Sequence, residues 1–430
     1  MSPGYSPELM SELDKNALLK GVKDAFEHEL ASVWKAASER QVDAGGPIAW
    51  EDVAVCVLPL DRIGAPKGAS GARVFVVYMS DTRSNLDDER LPISRPLVIK
   101  LGPHDDLSTE MEVKKSWPEL DDNFEARFAK PFRLVQCDEG TSVLIAPFRS
   151  NYQSLPNGTE TEVKLTDLWG NLHHACEQLS ASGSEQDTHW DKCGSLVHNC
   201  IETMHEVHKN HFSSPKRQTV EVGSAFKRYL RKVCDEDGRR HIARRVFGND
   251  ARVSAFGRDW SNPIMVADRL IAEGKKTTLA VGPVHGDLHP KNIVLGRQGA
   301  VNIIDFGWAS KSAPVALDYA LLDINLRSIT LPSQMSQSDI SAFGTFIHPT
   351  QNVASLPEII RPRASIIARE LWGSYQTNAK VEDWDAEYMT PLFLIALGLL
   401  AHLDDARNQP ALLATIFALA DHLDGNEVTS

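Results

Sequence analysis

One polar stretch of the chain contains residues whose types and spacing could carry out chemistry. Between Val284 and Ser310 the sequence reads VHGDLHPKNIVLGRQGAVNIIDFGWAS. Apolar runs and a Gly-containing turn in this stretch predict a β-hairpin flanked by two loops. The oxygen-bearing side chains of Asp287, Asn292 and Asp305 would then lie at one end of a two-stranded ribbon.

Phosphoryl transfer is the chemistry that such a set of side chains suits. It needs a carboxylate to orient the acceptor hydroxyl and hard oxygen ligands to hold magnesium against a triphosphate. Asp287 fits the first role, and Asn292 and Asp305 fit the second. The alternative is an ordinary hairpin in which Asp and Asn cap short turns. The D-F-G that follows H-x-D-x-x-x-x-N at the right distance favours phosphoryl transfer.

The same stretch resembles the catalytic loop and D-F-G motif of kinases. Its form, HGDLHPxN followed by IDFGWA, is typical of the aminoglycoside phosphotransferase and choline kinase branch of the protein-kinase-like proteins. His289 stands where protein kinases usually carry lysine, which favours the small-molecule branch. The contexts GASGARV, VIKLGP and DFGWA are similar to the bacterial phosphotransferase-like branch called ternary complex associated domain proteins.

This resemblance covers residues 50 to 425 and implies an α+β, bilobal protein-kinase-like fold. The N-lobe would hold five strands and one helix, and the C-lobe would be mainly helical. The resemblance further implies ATP and Mg²⁺ as cofactors. It also implies that Asp318 begins a helix and hydrogen-bonds back to the catalytic loop.

Lys100 ends a β-strand pattern in LVIKLGP, which resembles the strand whose lysine contacts the α- and β-phosphates. Its ion-pair partner should come from the next helix. Glu110 has apolar neighbours at offsets that turn its side chain inward, whereas Glu112 fits that register less well. The alternative is an exposed lysine at a strand end.

Two further N-lobe segments are candidates for nucleotide contacts. In GAPKGASGARV, the backbone amides of Gly68 and Gly71 could approach phosphates and Ser70 could add a hydroxyl donor. A Gly-rich hairpin turn is the alternative. The backbone from Ala146 to Phe148 would form the hinge that binds the adenine edge.

The pattern of apolar residues divides the chain into an N-terminal helical extension and two lobes. The extension, 1–49, has an apolar stripe that would either pack on the N-lobe or dock a partner protein. The N-lobe is 50–150 and the C-lobe 151–430, with the catalytic loop at 284–310.

A helical insertion at 215–278 would help to shape the acceptor pocket, as the resemblance implies, with Trp260 and Asp259 as candidates for its wall. The preceding helix carries histidines from His198 to His211, among them the pair Met204-His205 that resembles one found in the phosphotransferases. A zinc site is the alternative for these histidines.

Composition excludes several classes of protein. A formal net charge of −13 argues against nucleic-acid binding, and the basic clusters 227–232 and 239–245 are expected to be solvated helix faces. The longest apolar run, 392–400, is too short to cross a membrane. The N-terminus does not resemble a secretory signal, so a cytoplasmic protein with reduced cysteines is expected. The net negative charge of the whole chain weakly favours a cationic acceptor.

These observations predict an ATP- and Mg²⁺-dependent phosphotransferase that transfers the γ-phosphate to a hydroxyl of a small molecule or of a protein. The alternative is a nucleotide-binding signalling module of a bacterial conflict or defence system, acting through partners at the N-terminal helices. Retention of every expected catalytic position argues against an inactive pseudokinase. Drug, metabolite and protein hydroxyls all stay open as acceptors.

Overall fold

The computed structural model describes most of the chain between residues 12 and 425. The described residues are 12–30, 49–59, 72–81, 96–112, 117–149, 152–154, 161–163, 167–177, 184–212, 217–221, 224–226, 228–230, 240–274, 276–296, 300–328, 331, 335–406 and 408–425.

Short strands are spread over the whole described chain. They are β1 (Val53–Pro59), β2 (Arg73–Asp81), β3 (Leu97–Pro103), β4 (Arg133–Gln136), β5 (Thr141–Pro147), β6 (Tyr152–Ser154), β7 (Thr161–Val163), β8 (Arg217–Glu221), β9 (Arg252–Ala255), β10 (Arg258–Ser261), β11 (Lys276–Val284), β12 (Ile293–Leu295), β13 (Val301–Ile303) and β14 (Ser310–Pro314).

Helices are concentrated in the second half of the chain. They are α1 (Glu12–Ala25), α2 (His104–Met111), α3 (Asp122–Glu125), α4 (Leu168–Glu177), α5 (Ser184–His208), α6 (Arg240–Phe247), α7 (Pro263–Ala272), α8 (Ala316–Ser328), α9 (Gln337–Thr345), α10 (Arg361–Ile366), α11 (Ser374–Ala379), α12 (Thr390–Leu399) and α13 (Gln409–Leu423).

The chain forms two compact units. Unit 1 comprises Met1–Thr166 and Val294–Ala309, and unit 2 comprises Asp167–Ile293 and Ser310–Ser430. A five-stranded antiparallel sheet in the order β1-β2-β3-β5-β4 dominates unit 1, whereas unit 2 is mainly helical. The predicted α+β fold, with a five-stranded sheet in one unit and a mainly helical second unit, is thereby confirmed.

Helices cover both faces of the sheet in unit 1, which explains why successive residues of the central strand β5 are buried on both of its faces. Val143 and Ile145 of β5 share a buried cluster with Leu18 and Val22 of α1. The approach of α1 is close, because a Cβ on Gly21 would lie 2.6 Å from Val143 Cγ1. In the described part of the extension, the apolar stripe therefore packs on the sheet.

The other face of the sheet carries α2. Leu144, which points opposite to its neighbours in β5, forms a second buried cluster with Leu107 of α2 and Ala72. Leu107 and Glu110 are one helical turn apart, and both are buried. The packing of Leu107 therefore turns Glu110 towards the sheet.

Unit 2 has a core of apolar helices and a small sheet. Every residue of α8 and nearly all of α12 is buried. The helix α12 is apolar on all sides, whereas α8 also buries charged side chains such as Asp318 and Asp323. The sheet has the order β14-β11-β8, and β9 and β10 form a separate hairpin. Within the described residues, no helix is long and apolar enough to span a membrane.

Some elements differ from the sequence-based expectation. The insertion at 215–278 contains helices α6 and α7, as predicted, but also the strands β8, β9 and β10. Strand β8 pairs with β11, with Glu221 opposite Lys276, and such a long-range partner is not visible in local periodicity. The hairpin of β6 and β7 lies where only helices were expected.

Candidate active site

Lys100 is the centre of a charged cluster in unit 1. Its Nζ lies 2.8 Å and 2.9 Å from the two carboxylate oxygens of Glu110, and 2.8 Å from Oδ1 of Asp305. Strand β3 supplies the lysine, α2 supplies the glutamate and the D-F-G segment supplies the aspartate. Lys100 and Glu110 are thus paired as the sequence predicts, whereas Glu112 is exposed.

Burial and the neighbouring carboxylates shift the pKa of Lys100 in opposite directions. Burial lowers the pKa of Lys100, but the carboxylates of Asp305 and Glu110 together raise it above its ordinary value. The side chain of Glu110 is 7% exposed, whereas that of Asp305 is 43% exposed. The cluster therefore presents a fixed positive charge and one carboxylate that an incoming ligand can reach.

The segment that carries Asp305 is anchored to unit 1 by backbone and aromatic contacts. Ile303 of β13 accepts a hydrogen bond from the amide of Ala129 at 2.8 Å and donates one to Arg127 at 2.8 Å. Phe306 packs edge-on against Trp117, with ring centroids 5.4 Å apart. Between these anchors Asp305 has a φ of 64°, a left-handed conformation that costs free energy in residues other than glycine.

The part of the predicted catalytic loop from His285 to Asn292 lies in unit 2 and is closed by internal hydrogen bonds. Asn292 Nδ2 donates to the carbonyl of Asp287 at 2.9 Å, and the amide of His289 donates to the same carbonyl at 2.8 Å. Pro290–Asn292 form a 3₁₀ turn. The side chain of Asp287 is 35% exposed, so a substrate hydroxyl can approach it.

A buried carboxylate holds the start of this loop. Asp318 accepts hydrogen bonds from the amides of His285 at 2.9 Å and Gly286 at 2.8 Å. Oδ2 of Asp318 also lies 3.3 Å from Nε2 of His208, and both side chains are almost fully buried. His208 is therefore a histidine of α5 that reaches the loop region.

Tyr229 of the insertion makes a further contact with the loop. Its hydroxyl donates a hydrogen bond to the carbonyl of Gly286, the residue before Asp287. Burial raises the pKa of Tyr229, and the carboxylates of Asp318 and Asp287 raise it further. The phenol therefore stays protonated and keeps its donor. Sequence reasoning missed this residue, because no local pattern distinguishes it.

Some of the other residues predicted to contact the nucleotide lie outside the described residues, and the rest are at the end of β5. Gly68, Ser70 and Gly71 lie outside the described residues. Ala146 pairs with Val98 of β3, and the described pairing with β4 ends one residue earlier, at Ile145. The amide of Phe148 donates to the carbonyl of Pro96 at 3.1 Å, so an adenine contact through that amide would have to replace this bond.

In unit 2 the prediction for Trp260 is wrong, and the zinc alternative for the histidines does not hold. Trp260 is fully buried, donates to the carbonyl of Ala255 at 2.8 Å and stacks on Phe417, so it packs in the core and cannot line an open pocket. The zinc alternative fails for the described residues, among which no cluster of three or more His, Cys, Asp or Glu side chains could hold a metal ion. His198 is instead bonded to Glu370 at 2.8 Å.

The donor chemistry of Asn292 and Asp305 fits a hard divalent cation. The amide nitrogen of Asn292 is used by the bond to Asp287, which leaves its oxygen as the atom suited to a cation. Asp305 adds a carboxylate, and Mg²⁺ prefers such oxygen ligands. Lys100, Glu110 and Asp305 are brought together in unit 1, and Asp287 and Asn292 in unit 2.

Comparison with known proteins yields a likeness of fold. No protein-family model and no curated protein matches the chain. A thermostable mutant of aminoglycoside phosphotransferase APH(4)-Ia, solved with ADP and hygromycin B, is 11% identical, with 86% of this chain and 98% of that chain covered and a TM-score of 0.40.

Other solved structures show the same level of likeness. An aminoglycoside phosphotransferase from Alicyclobacillus acidocaldarius is 12% identical, over 81% of this chain and 90% of that chain, with a TM-score of 0.36. Spectinomycin phosphotransferase APH(9)-Ia, solved with ADP and spectinomycin, is 11% identical, over 84% and 92%, with a TM-score of 0.33. At these identities we base the function on the residues of the chain itself.

Proposed function

We propose that this protein is a phosphotransferase that uses ATP and Mg²⁺ and transfers the γ-phosphate to a hydroxyl of its acceptor. The observation that carries the proposal is the half-buried Lys100 held by both Glu110 and Asp305. A lysine fixed in this way is a preorganised positive charge for phosphate oxygens. Its contact with the reachable carboxylate of Asp305 brings a phosphate-binding group and a metal-binding group together.

Each residue of the proposed site would have its own role in the reaction. Asp287 accepts the proton of the acceptor hydroxyl while the hydroxyl oxygen forms a bond to the γ-phosphorus. The bond between that phosphorus and the bridging oxygen breaks, and ADP leaves with the electron pair. Lys100 stabilises the charge on the phosphates. Magnesium held by Asn292 and Asp305 would supply further neutralisation of that charge.

The proposal is tested with the full chain by titrating ATP at several magnesium concentrations and by following label from γ-³²P-ATP. We expect magnesium-dependent ATP binding that Lys100→Ala and Asp305→Asn both weaken. Lys20→Ala is the matched control. Lys20 is also a lysine of unit 1 that makes hydrogen bonds, at 3.2 Å to the carbonyl of Gln136, but it is exposed. Equal ATP binding by wild type, Lys100→Ala and Asp305→Asn would refute the proposal.

A further inference from the structure

The positive charge of this acidic chain is concentrated in one segment. Residues 215 to 278 contain fifteen lysines and arginines but only eight aspartates and glutamates, whereas the whole chain has a formal net charge of −13. The segment is the insertion that precedes the catalytic loop. The formal charge of the segment is therefore opposite in sign to that of the rest of the chain. Arg217, Arg252, Arg258 and Arg269 are paired with carboxylates outside the segment, and exposed charges act mainly within about 10 Å at moderate salt.

Part of this segment lies directly against the catalytic loop. Residues 224–226 and 228–230 are helical, and Phe226 and Leu230 are buried. The hydroxyl of Tyr229 is bonded to the carbonyl of Gly286. The backbone is also closely packed, because a Cβ on Gly398 of α12 would lie 2.9 Å from the carbonyl oxygen of Tyr229. These contacts fix the position of the helix beside the loop.

Arg228 is thereby held next to the catalytic loop. It is exposed to solvent and precedes Tyr229 in the helix. Although the protein around the guanidinium lowers the pKa of Arg228 through burial, Tyr229 and the carboxylate of Asp287 act in the opposite direction. The guanidinium is thus within electrostatic reach of the carboxylate that is proposed to receive the acceptor proton.

We propose that the acceptor is a small molecule that carries a phosphate or carboxylate close to its reacting hydroxyl, and that Arg228 binds this anionic group. The inference rests on the proposed function and names its substrate class. An anionic acceptor must approach the negative charge of Asp287, and a guanidinium beside that carboxylate offsets the repulsion. The planar fork of arginine also matches the oxygens of a phosphate or carboxylate in two parallel hydrogen bonds.

This inference reverses the expectation from the whole-chain charge, which suited a cationic acceptor. Net charge describes the average surface, whereas acceptor binding depends on the field within a few ångströms of the reacting hydroxyl. Arg228 supplies one positive charge that acts directly on Asp287.

The test uses three small hydroxyl compounds that differ in charge: glycerol 3-phosphate, glycerol and ethanolamine. The full chain is assayed for ADP release with ATP and Mg²⁺, and binding of each compound and of inorganic phosphate is measured calorimetrically with a non-hydrolysable ATP analogue present. We expect glycerol 3-phosphate and phosphate to bind, and glycerol and ethanolamine to bind at least about tenfold more weakly, because a charge-assisted contact is lost.

Variants of Arg228 show whether the anion binds this arginine directly or responds only to the general positive charge of the insertion. Arg228→Gln should weaken phosphate and glycerol 3-phosphate binding about tenfold, raising KM more than it lowers kcat, and Arg228→Lys should restore part of the loss. Arg244→Gln is the control, because Arg244 is an exposed arginine of α6 in the same insertion. This control should bind both anions like the wild type, and all variants should keep the wild-type melting temperature.

Several results would overturn the inference: no binding of either anion, a preference for ethanolamine, or equal losses in Arg228→Gln and Arg244→Gln. Binding of a long polyanion such as heparin without binding of phosphate would assign the surface to a macromolecule instead of a small acceptor. A wild-type protein that binds these anions but not ATP would refute the proposed phosphotransferase and leave the anion site standing.

Discussion

Replacing Glu110 by glutamine tests how much the charged cluster around Lys100 depends on this one carboxylate. The change keeps the shape of the side chain and removes its charge. Stripping a buried charge of its partner costs about 3–5 kcal/mol, but here Asp305 stays 2.8 Å from the lysine and glutamine still offers one oxygen. We therefore expect the free energy of unfolding to fall by about 1–2 kcal/mol, measured by urea denaturation.

The same substitution should weaken ATP binding through the position of the lysine. Without the charge of Glu110, Lys100 is attracted mainly to Asp305, away from the phosphates and towards the carboxylate proposed to hold magnesium. A displacement that costs about 1.4 kcal/mol lowers the ATP affinity about tenfold. Titration calorimetry at saturating and at limiting magnesium should show the larger loss at limiting magnesium.

Glu112→Gln is the matched control for Glu110→Gln. Glu112 is two residues further along the chain, at the end of α2, and is exposed, so the substitution removes the same charge without touching Lys100. Stability and ATP affinity should both stay within error of the wild type. Equal losses in the two variants would show that the net charge of the helix matters, and no loss in Glu110→Gln would refute the role assigned to the ion pair.

The other predictions concern the catalytic loop and the helices around it. Asp287→Ala should leave ATP binding largely intact and lower turnover by roughly 10²–10⁴-fold, and near-native turnover would contradict its role as base. Asn292→Ala should raise the magnesium concentration needed for half-maximal ATP binding, and an unchanged metal dependence would remove it from the ligand set. Tyr229→Phe should lower kcat while ATP affinity and melting temperature change little, because only the bond to the loop carbonyl is lost. Burial lowers the pKa of His205 below its ordinary value of 6.5. The folded state therefore binds fewer protons than the unfolded state, and stability should fall as the pH drops below about 6.5. In His205→Gln the denaturation midpoint should fall less steeply over this range.

Local patterns were sufficient to predict the ion pair of unit 1. Lys100 is the fourth of the seven residues of β3, a strand whose apolar residues alternate between two covered faces. Glu110 follows Leu107 at the helical offset that puts both on one face of α2. Each element can be recognised from neighbours within one or two turns, so the inward direction of Glu110 could be predicted.

Residues whose environment is set by distant partners could not be predicted. The place of Trp260 in the insertion made it a candidate for the pocket wall, but its stacking partner, Phe417, is more than 150 residues away. Strand β8 likewise depends on β11, which begins 55 residues after β8 ends. Periodicity reports whether a side chain is buried, but it does not report what the side chain is buried against.

The catalytic loop depends both on a local sequence motif and on a distant residue, Asp318. The motif around Asp287 is local, but the shape of the loop depends on a buried carboxylate that receives the amides of His285 and Gly286. Gly286 has a φ of 79°, a conformation that favours glycine, and this turn lets two successive amides point at one carboxylate. A buried charge persists only when hydrogen bonds compensate it. The segment His285–Asp287 and the distant Asp318 thus form one structural unit. Gly286 is needed both for the turn of the loop and for the hydrogen bonds that the two amides donate to Asp318.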